Sequence, residues 1–148
     1  MERNDNDSDQ DNKLSETEEQ APKTSIDILC GHLVNPEINI QDIYLNKCNI
    51  SDEGGLQIVA AIYNFSNVKI RKLYLNQNDL TDKVGLKIAE LLNEGNTKIK
   101  EIGLKWNKLT AVSGNKIANA LKDNNCLKVL DLSWNMIGVK PPDKLEKN

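Results

Sequence analysis

The chain has 148 residues, 39% hydrophobic and 28% charged, enough apolar material for one modest core but not for two independent domains. A formal net charge of −3 lacks the basic footprint that phosphate-backbone binding requires, so nucleic acid is not the expected partner. No stretch approaches the roughly 18 apolar residues of a membrane span, and no charged region followed by an apolar run opens the chain, so membrane insertion is not expected.

Residues 1–24 carry eight acids, from Glu2 to Glu19, against Arg3, Lys13 and Lys23, a net charge of −5 that leaves the remainder at +2. Leu14 is almost the only large apolar side chain there, too little to offset the entropy of ordering. The segment reads as a disordered acidic tail. It is either a solubilising arm or a regulatory stretch around Ser8, Ser15 and Thr17.

The folded part is expected over 25–138. It opens with a short helical pattern, Ile26, Ile28, Leu29, Cys30 and Leu33, begun by Thr24 or Ser25 and closed at Asn35-Pro36. This helix at about 25–35 is expected to cover the first repeat. His32 lies on it with no second histidine, cysteine or acid at ligand spacing, so no metal and no cofactor is expected. Cys30, Cys48 and Cys126 form no disulfide framework, which fits reduced thiols in a cytoplasmic or nuclear chain.

Four segments then superpose: Ile40 to Ile50, Ile70 to Leu80, Ile99 to Leu109 and Leu127 to Ile137. Each reads L-x-x-L-x-L-x-x-N/C-x-L. Steps between Ile43, Leu73, Ile102 and Leu130 are 30, 29 and 28 residues. The alternating part of each unit predicts a short strand with one buried face, because successive side chains point to opposite sides. Helical stretches follow, with apolar residues three and four apart: Leu56, Ile58, Val59 and Ile62 match Leu86, Ile88, Ala89 and Leu92. Ser51, Thr81 and Thr110 precede them as plausible N-caps, and Asp52-Glu53 at a helix start favours the helix dipole. A glycine recurs at 55, 85 and 114 although it costs a helix about 1 kcal/mol relative to alanine. Closeness to the preceding loop is the expected reason. The last unit runs instead into Pro141-Pro142 within a short polar tail at 139–148, so the fourth strand is expected to lack a cap. A partner, self-association through a second copy, or the rest of a longer array would then cover it.

This pattern resembles the leucine-rich-repeat family, and its step length is similar to the ribonuclease-inhibitor type. Right-handed crossovers would stack the units into an α/β solenoid, a curved arc with a parallel sheet on the concave face and helices on the convex face. The resemblance further implies that the column Cys48, Asn78, Asn107 and Asn135 is structural, its side chains bonding backbone groups of the turn from strand to helix.

The candidate partner-binding residues lie in columns across the concave face: Tyr44, Tyr74, Gly103 and Asp131; Asn46, Asn76, Lys105 and Ser133; and Lys47, Gln77, Trp106 and Trp134. The chain has six Trp, Tyr and Phe residues, and four of them stand here. Tyr44, Tyr74, Trp106 and Trp134 are therefore the expected anchors. Asn46, Asn76, Lys105 and Asp131 accompany them, and the charges Asp42, Lys72, Glu101 and Asp131 would tune partner choice. The alternative for the tryptophans is packing along the loops between repeats.

One histidine, no glycine-rich phosphate loop and no cysteine pair leave no catalytic constellation, so an enzyme is not expected. The sequence points to a non-enzymatic protein–protein interaction module or scaffold. Two alternatives stand beside it. One is a structural component of a cytoskeletal or ciliary assembly; the other is a GTPase-activating protein resembling that of Ran, though in that type the acidic segment follows the repeats.

Overall fold

The computed structural model describes residues 24–65, 69–94 and 98–138. Helices and strands alternate as α1 (Ser25–Val34), β1 (Asp42–Tyr44), α2 (Asp52–Asn64), β2 (Lys72–Tyr74), α3 (Asp82–Asn93), β3 (Glu101–Gly103), α4 (Ala111–Ala120) and β4 (Val129–Asp131). The strands form one parallel sheet in the order β1-β2-β3-β4, with Ile43, Leu73, Ile102 and Leu130 in register. Each helix packs on the next, α1 on α2, α2 on α3 and α3 on α4. The result is the α/β solenoid expected from the repeat.

The core lies between the two layers. Ile43, Leu73 and Ile102 are buried on the inner face of the sheet, and Ile50, Leu80 and Leu109 close the turns behind them. From the helices, Ile58, Ile88 and Ile117 complete the same cluster. Burial of each such side chain contributes about 1.5–3 kcal/mol. In the fourth repeat the equivalents Leu130, Leu132 and Ile137 are only partly buried, and Val129 is 48% exposed. Residues 1–23 and 139–148, which include the acidic tail and Pro141-Pro142, lie outside the described residues.

Local chemistry explains where the helices start and stop. Thr24, one of the two residues read from sequence as opening this helix, is the N-cap of α1: its hydroxyl accepts from the Asp27 amide at 3.2 Å, and the Asp27 carboxylate accepts from the Thr24 amide at 2.7 Å. Asn35 ends this helix in an extended conformation, as a residue before proline prefers. Ser51, Thr81 and Thr110 cap α2, α3 and α4.

The glycine column has a different cause from the expected one. A Cβ at Gly55 would lie 2.9 Å from Val84, one at Gly85 would meet Leu109 and Ser113, and one at Gly114 would lie 2.7 Å from Ile137. The constraint is the following repeat, whose side chains seat against the helix backbone, not the preceding loop.

A second interlock was invisible as such in the sequence. The Asp52 carboxylate accepts from the Thr81 amide at 2.8 Å and hydroxyl at 2.5 Å. Asp82 repeats this with Thr110 at 2.8 and 2.5 Å and adds the Ser113 hydroxyl at 2.5 Å. The acids that open α2 and α3 thus tie each of these repeats to the N-cap of the next, a role beyond the dipole effect.

Candidate functional site

The face of the sheet opposite the helices carries the aromatic residues. The end of each strand points Tyr44 and Tyr74 outward because Ile43 and Leu73 point in, and their rings stack at 5.2 Å between centroids, 8° from parallel. The row is interrupted at Gly103, where a Cβ would collide with the Tyr74 ring and the Asn76 side chain. Tyr74 therefore lies over β3, and its hydroxyl donates to Glu101 at 2.6 Å. Lys72 completes the group with an ion pair to Glu101 at 3.2 Å. The Tyr74 hydroxyl, and then Lys72, hold the Glu101 carboxyl below its usual range, and the same two bonds push the Tyr74 phenol and the Lys72 ammonium up.

Beyond the strands, the chain turns at Lys47, Gln77, Trp106 and Trp134, all in the left-handed region with φ of 56–58°. For a side chain with a Cβ this conformation costs about 1 kcal/mol, so a turn residue such as asparagine or glycine would be the ordinary choice. Two of the four positions carry tryptophan instead. Their rings stack on each other at 4.5 Å, 5° from parallel, while Trp106 stays 47% and Trp134 65% exposed. The tryptophans thus pack against each other along the repeat direction and still present surface to solvent.

The remaining candidates divide. Asn46 accepts from the Asn76 amide at 3.0 Å and Asn76 from the Lys105 amide at 2.8 Å, so both side chains are occupied holding neighbouring turns together. Asp131 lies beside Gly103 in the sheet, in the tyrosine column. The position in line with Asp42, Lys72 and Glu101 belongs to Val129 instead, which corrects the charge row drawn from sequence. Asp131 accepts from the Ser133 hydroxyl at 2.6 Å and amide at 2.9 Å, and these bonds, with Lys105 nearby, hold its carboxyl below the usual range.

The amide column runs behind this surface. Asn78 accepts from the Cys48 and Ile50 amides at 3.0 and 3.2 Å, and donates to the Leu45 carbonyl at 2.7 Å. Asn107 treats Asn78, Leu80 and Leu75 in the same way at 3.1, 3.0 and 3.0 Å, and Asn135 bonds the Leu109 amide and Leu104 carbonyl. Each asparagine serves the turn of the preceding repeat. Cys48, in the first strand-to-helix turn among the described residues, is exposed, and its thiol donates to the Asn46 carbonyl at 3.4 Å. Among the described residues no cluster of His, Cys, Asp and Glu is arranged to hold a metal, and no helix is long and apolar enough to cross a membrane.

A leucine-rich-repeat family model matches residues 38–59 and 123–140, which include the strands and turns of the first and last units. The chain is a leucine-rich-repeat solenoid. No curated protein matches the sequence. Among solved structures, it is similar to the structure titled leiomodin-1 actin-binding site 2, with a TM-score of 0.66 and 22% identity over 74% of this chain. It is also similar to a tropomodulin C-terminal domain from Caenorhabditis elegans, with a TM-score of 0.59 and 14% identity over 73% of this chain. The chain spans 62% of the length of each of these two structures. At such identities the likeness is one of fold.

Proposed function

We propose that the chain is a non-enzymatic, cytoplasmic protein-binding module that presents Tyr44, Tyr74, Trp106 and Trp134 to its partner. The observation that carries this reading is the two stacked aromatic couples on consecutive repeats, in which Tyr44, Trp106 and Trp134 are exposed and Tyr74 is half-buried. Rings already stacked lose little freedom on binding, and tyrosine and tryptophan supply large contact area with few rotatable bonds.

The test is recovery of partners from cell extract with the chain and with its Tyr74→Ala, Trp106→Ala double variant, folding being checked by circular dichroism. Recovery should fall by about tenfold or more, the size of a lost hot spot. Unchanged recovery with a folded variant would remove this surface from consideration. A cytoskeletal role is the second reading, favoured by the likeness to a structure whose title names an actin-binding site. Filamentous actin is thus the first defined partner to measure, by co-sedimentation, and absence of pelleting would dismiss actin while leaving the binding surface to the first experiment.

A further inference from the structure

Rings that stack on each other hide the faces between them. In both aromatic couples the planes lie within 8° of parallel and the centroids stand about one strand spacing apart, so the rings turn mainly their edges and polar tips to the space between the couples. A ring edge is the positive part of its quadrupole. The tips are donors as well. The Tyr74 hydroxyl is taken by Glu101, but the Tyr44 hydroxyl and the indole N–H groups of Trp106 and Trp134 meet no acceptor among the described residues.

The asparagines beside the tyrosines are oriented to the same effect. The Asn46 and Asn76 side-chain carbonyls accept from the Asn76 and Lys105 backbone amides, which leaves their NH2 groups, without an acceptor among the described residues, for a ligand. Two carboxylates of the face are already occupied, Glu101 by Tyr74 and Lys72, Asp131 by Ser133. The surface therefore offers chiefly donors. Its charges also cancel: Lys72 and Lys108 pair with Glu101 and Asp79 at 3.2 and 3.1 Å, Lys105 stands near Asp131, and Asp42 is offset by Lys47.

A ligand matched to this surface is uncharged and rich in carbonyls that are free to accept. A helix has bonded most of its own carbonyls, and strand addition needs a sheet edge, whereas these rows cross the face of a sheet. In a polyproline II segment no carbonyl is bonded internally, proline brings no N–H to compete, and the extended form is set before binding. The couples lie two strands and three chain positions apart, about 14 Å on the diagonal, so a segment of about six residues, rising about 3.1 Å each, covers both. Resting on the aromatic face as the binding surface, we propose that this face binds an uncharged, proline-rich segment in the polyproline II form, with Tyr44, Asn46, Asn76, Trp106 and Trp134 donating to its carbonyls.

The test uses the full chain and a capped decaproline peptide, with a capped glycine–serine peptide of equal length and a capped amphipathic helical peptide as controls. On titration, the indole N–H signals of Trp106 and Trp134 and the side-chain NH2 signals of Asn46 and Asn76 should shift in ¹⁵N-correlated spectra and saturate below about 1 mM. Raising salt from about 0.05 to about 0.5 M should change the affinity less than about twofold, because no ion pair forms. The Trp106→Phe, Trp134→Phe double variant keeps two rings and removes both N–H donors, and it should bind the peptide about tenfold more weakly while its circular dichroism is unchanged. Asn46→Asp keeps the acceptor for the Asn76 amide, removes the NH2 donors and should weaken binding severalfold. Shifts no larger than with the glycine–serine peptide, tighter binding of the helical peptide, or full affinity in the folded double variant each overturn the proposal. If decaproline fails while Tyr74→Ala with Trp106→Ala still abolishes recovery of partners from extract, the aromatic surface stands and only the polyproline assignment falls. If both fail, the surface itself falls.

Discussion

Asp82 concentrates more of the inter-repeat bonding than any neighbouring acid, because Ser113, fully buried, gives it a partner that Asp52 lacks. Burial is the largest single influence on its carboxyl and pushes the pKa up. The bonds from the Ser113 and Thr110 side chains and backbones together outweigh it, so the group is held below its ordinary value of 3.8. A depressed folded pKa contributes stability that is present above the unfolded value and is lost as pH falls through the folded one. Asp82→Asn should therefore lower stability near neutral pH by about 2 kcal/mol, since an amide accepts less well and sets its own donors against the Thr110 and Ser113 donors. In urea unfolding the gap between the two proteins should narrow as pH drops below about 4, where the carboxylate of the unfolded chain protonates first, and should close only once the native carboxylate protonates too, at lower pH. A gap constant from pH 7 to 3 would mean that Asp82 does not act through its charge.

At the scale of the element, the turn from strand to helix is held by amides rather than by packing. Asn107 is buried and supplies acceptors to Asn78 and Leu80 and donors to Leu75 and Leu104. Asn107→Ala orphans several buried backbone groups at once and should cost about 3 kcal/mol. Asn135→Ala, at a partly buried position with fewer bonds to the preceding turn, should cost less than half as much. Equal shifts in the denaturation midpoint would contradict the one-directional arrangement of the column. The strands, helices and caps were legible in the sequence because their determinants are local: period-two and period-four apolar spacing, and a hydroxyl ahead of each helix. Partners about 29 residues apart were not. Nothing within one repeat says that Asp52 will accept from Thr81, that Gly85 faces Ser113, or that Asn46 and Asn76 are occupied by the next turn's amides. The aromatic columns followed from the register, but the stacking within them, and the room that Gly103 leaves for Tyr74, depend on side-chain direction across strands.

For the molecule as a whole, each repeat is stabilised by the neighbours on either side, so stability should grade along the stack. Leu75 and Leu104 are fully buried at its centre, while Leu130 and Leu132 at β4 are only partly covered. Hydrogen exchange should accordingly be slowest at the Leu75 amide, which is bonded to Gly103 within the stack, and faster by about tenfold or more at Val129 and at Leu104, whose amide is bonded to Asp131 of β4, although all three are hydrogen-bonded. Equal protection would indicate that β4 is as well supported as the middle of the sheet.

The glycines of the helix layer bear on the opposite side of the protein. Packed helices ordinarily stand about 8–10 Å apart whereas paired strands stand about 4.8 Å apart, and it is this mismatch that bends such a stack toward its sheet. By admitting Val84, Leu109, Ser113 and Ile137 against bare backbone, Gly55, Gly85 and Gly114 let the helices approach more closely than side chains there would allow. Closer helices mean a wider radius of curvature. The three glycines therefore help set how far apart the exposed edges of the tyrosine and tryptophan couples stand, and so the breadth of partner that one molecule can embrace.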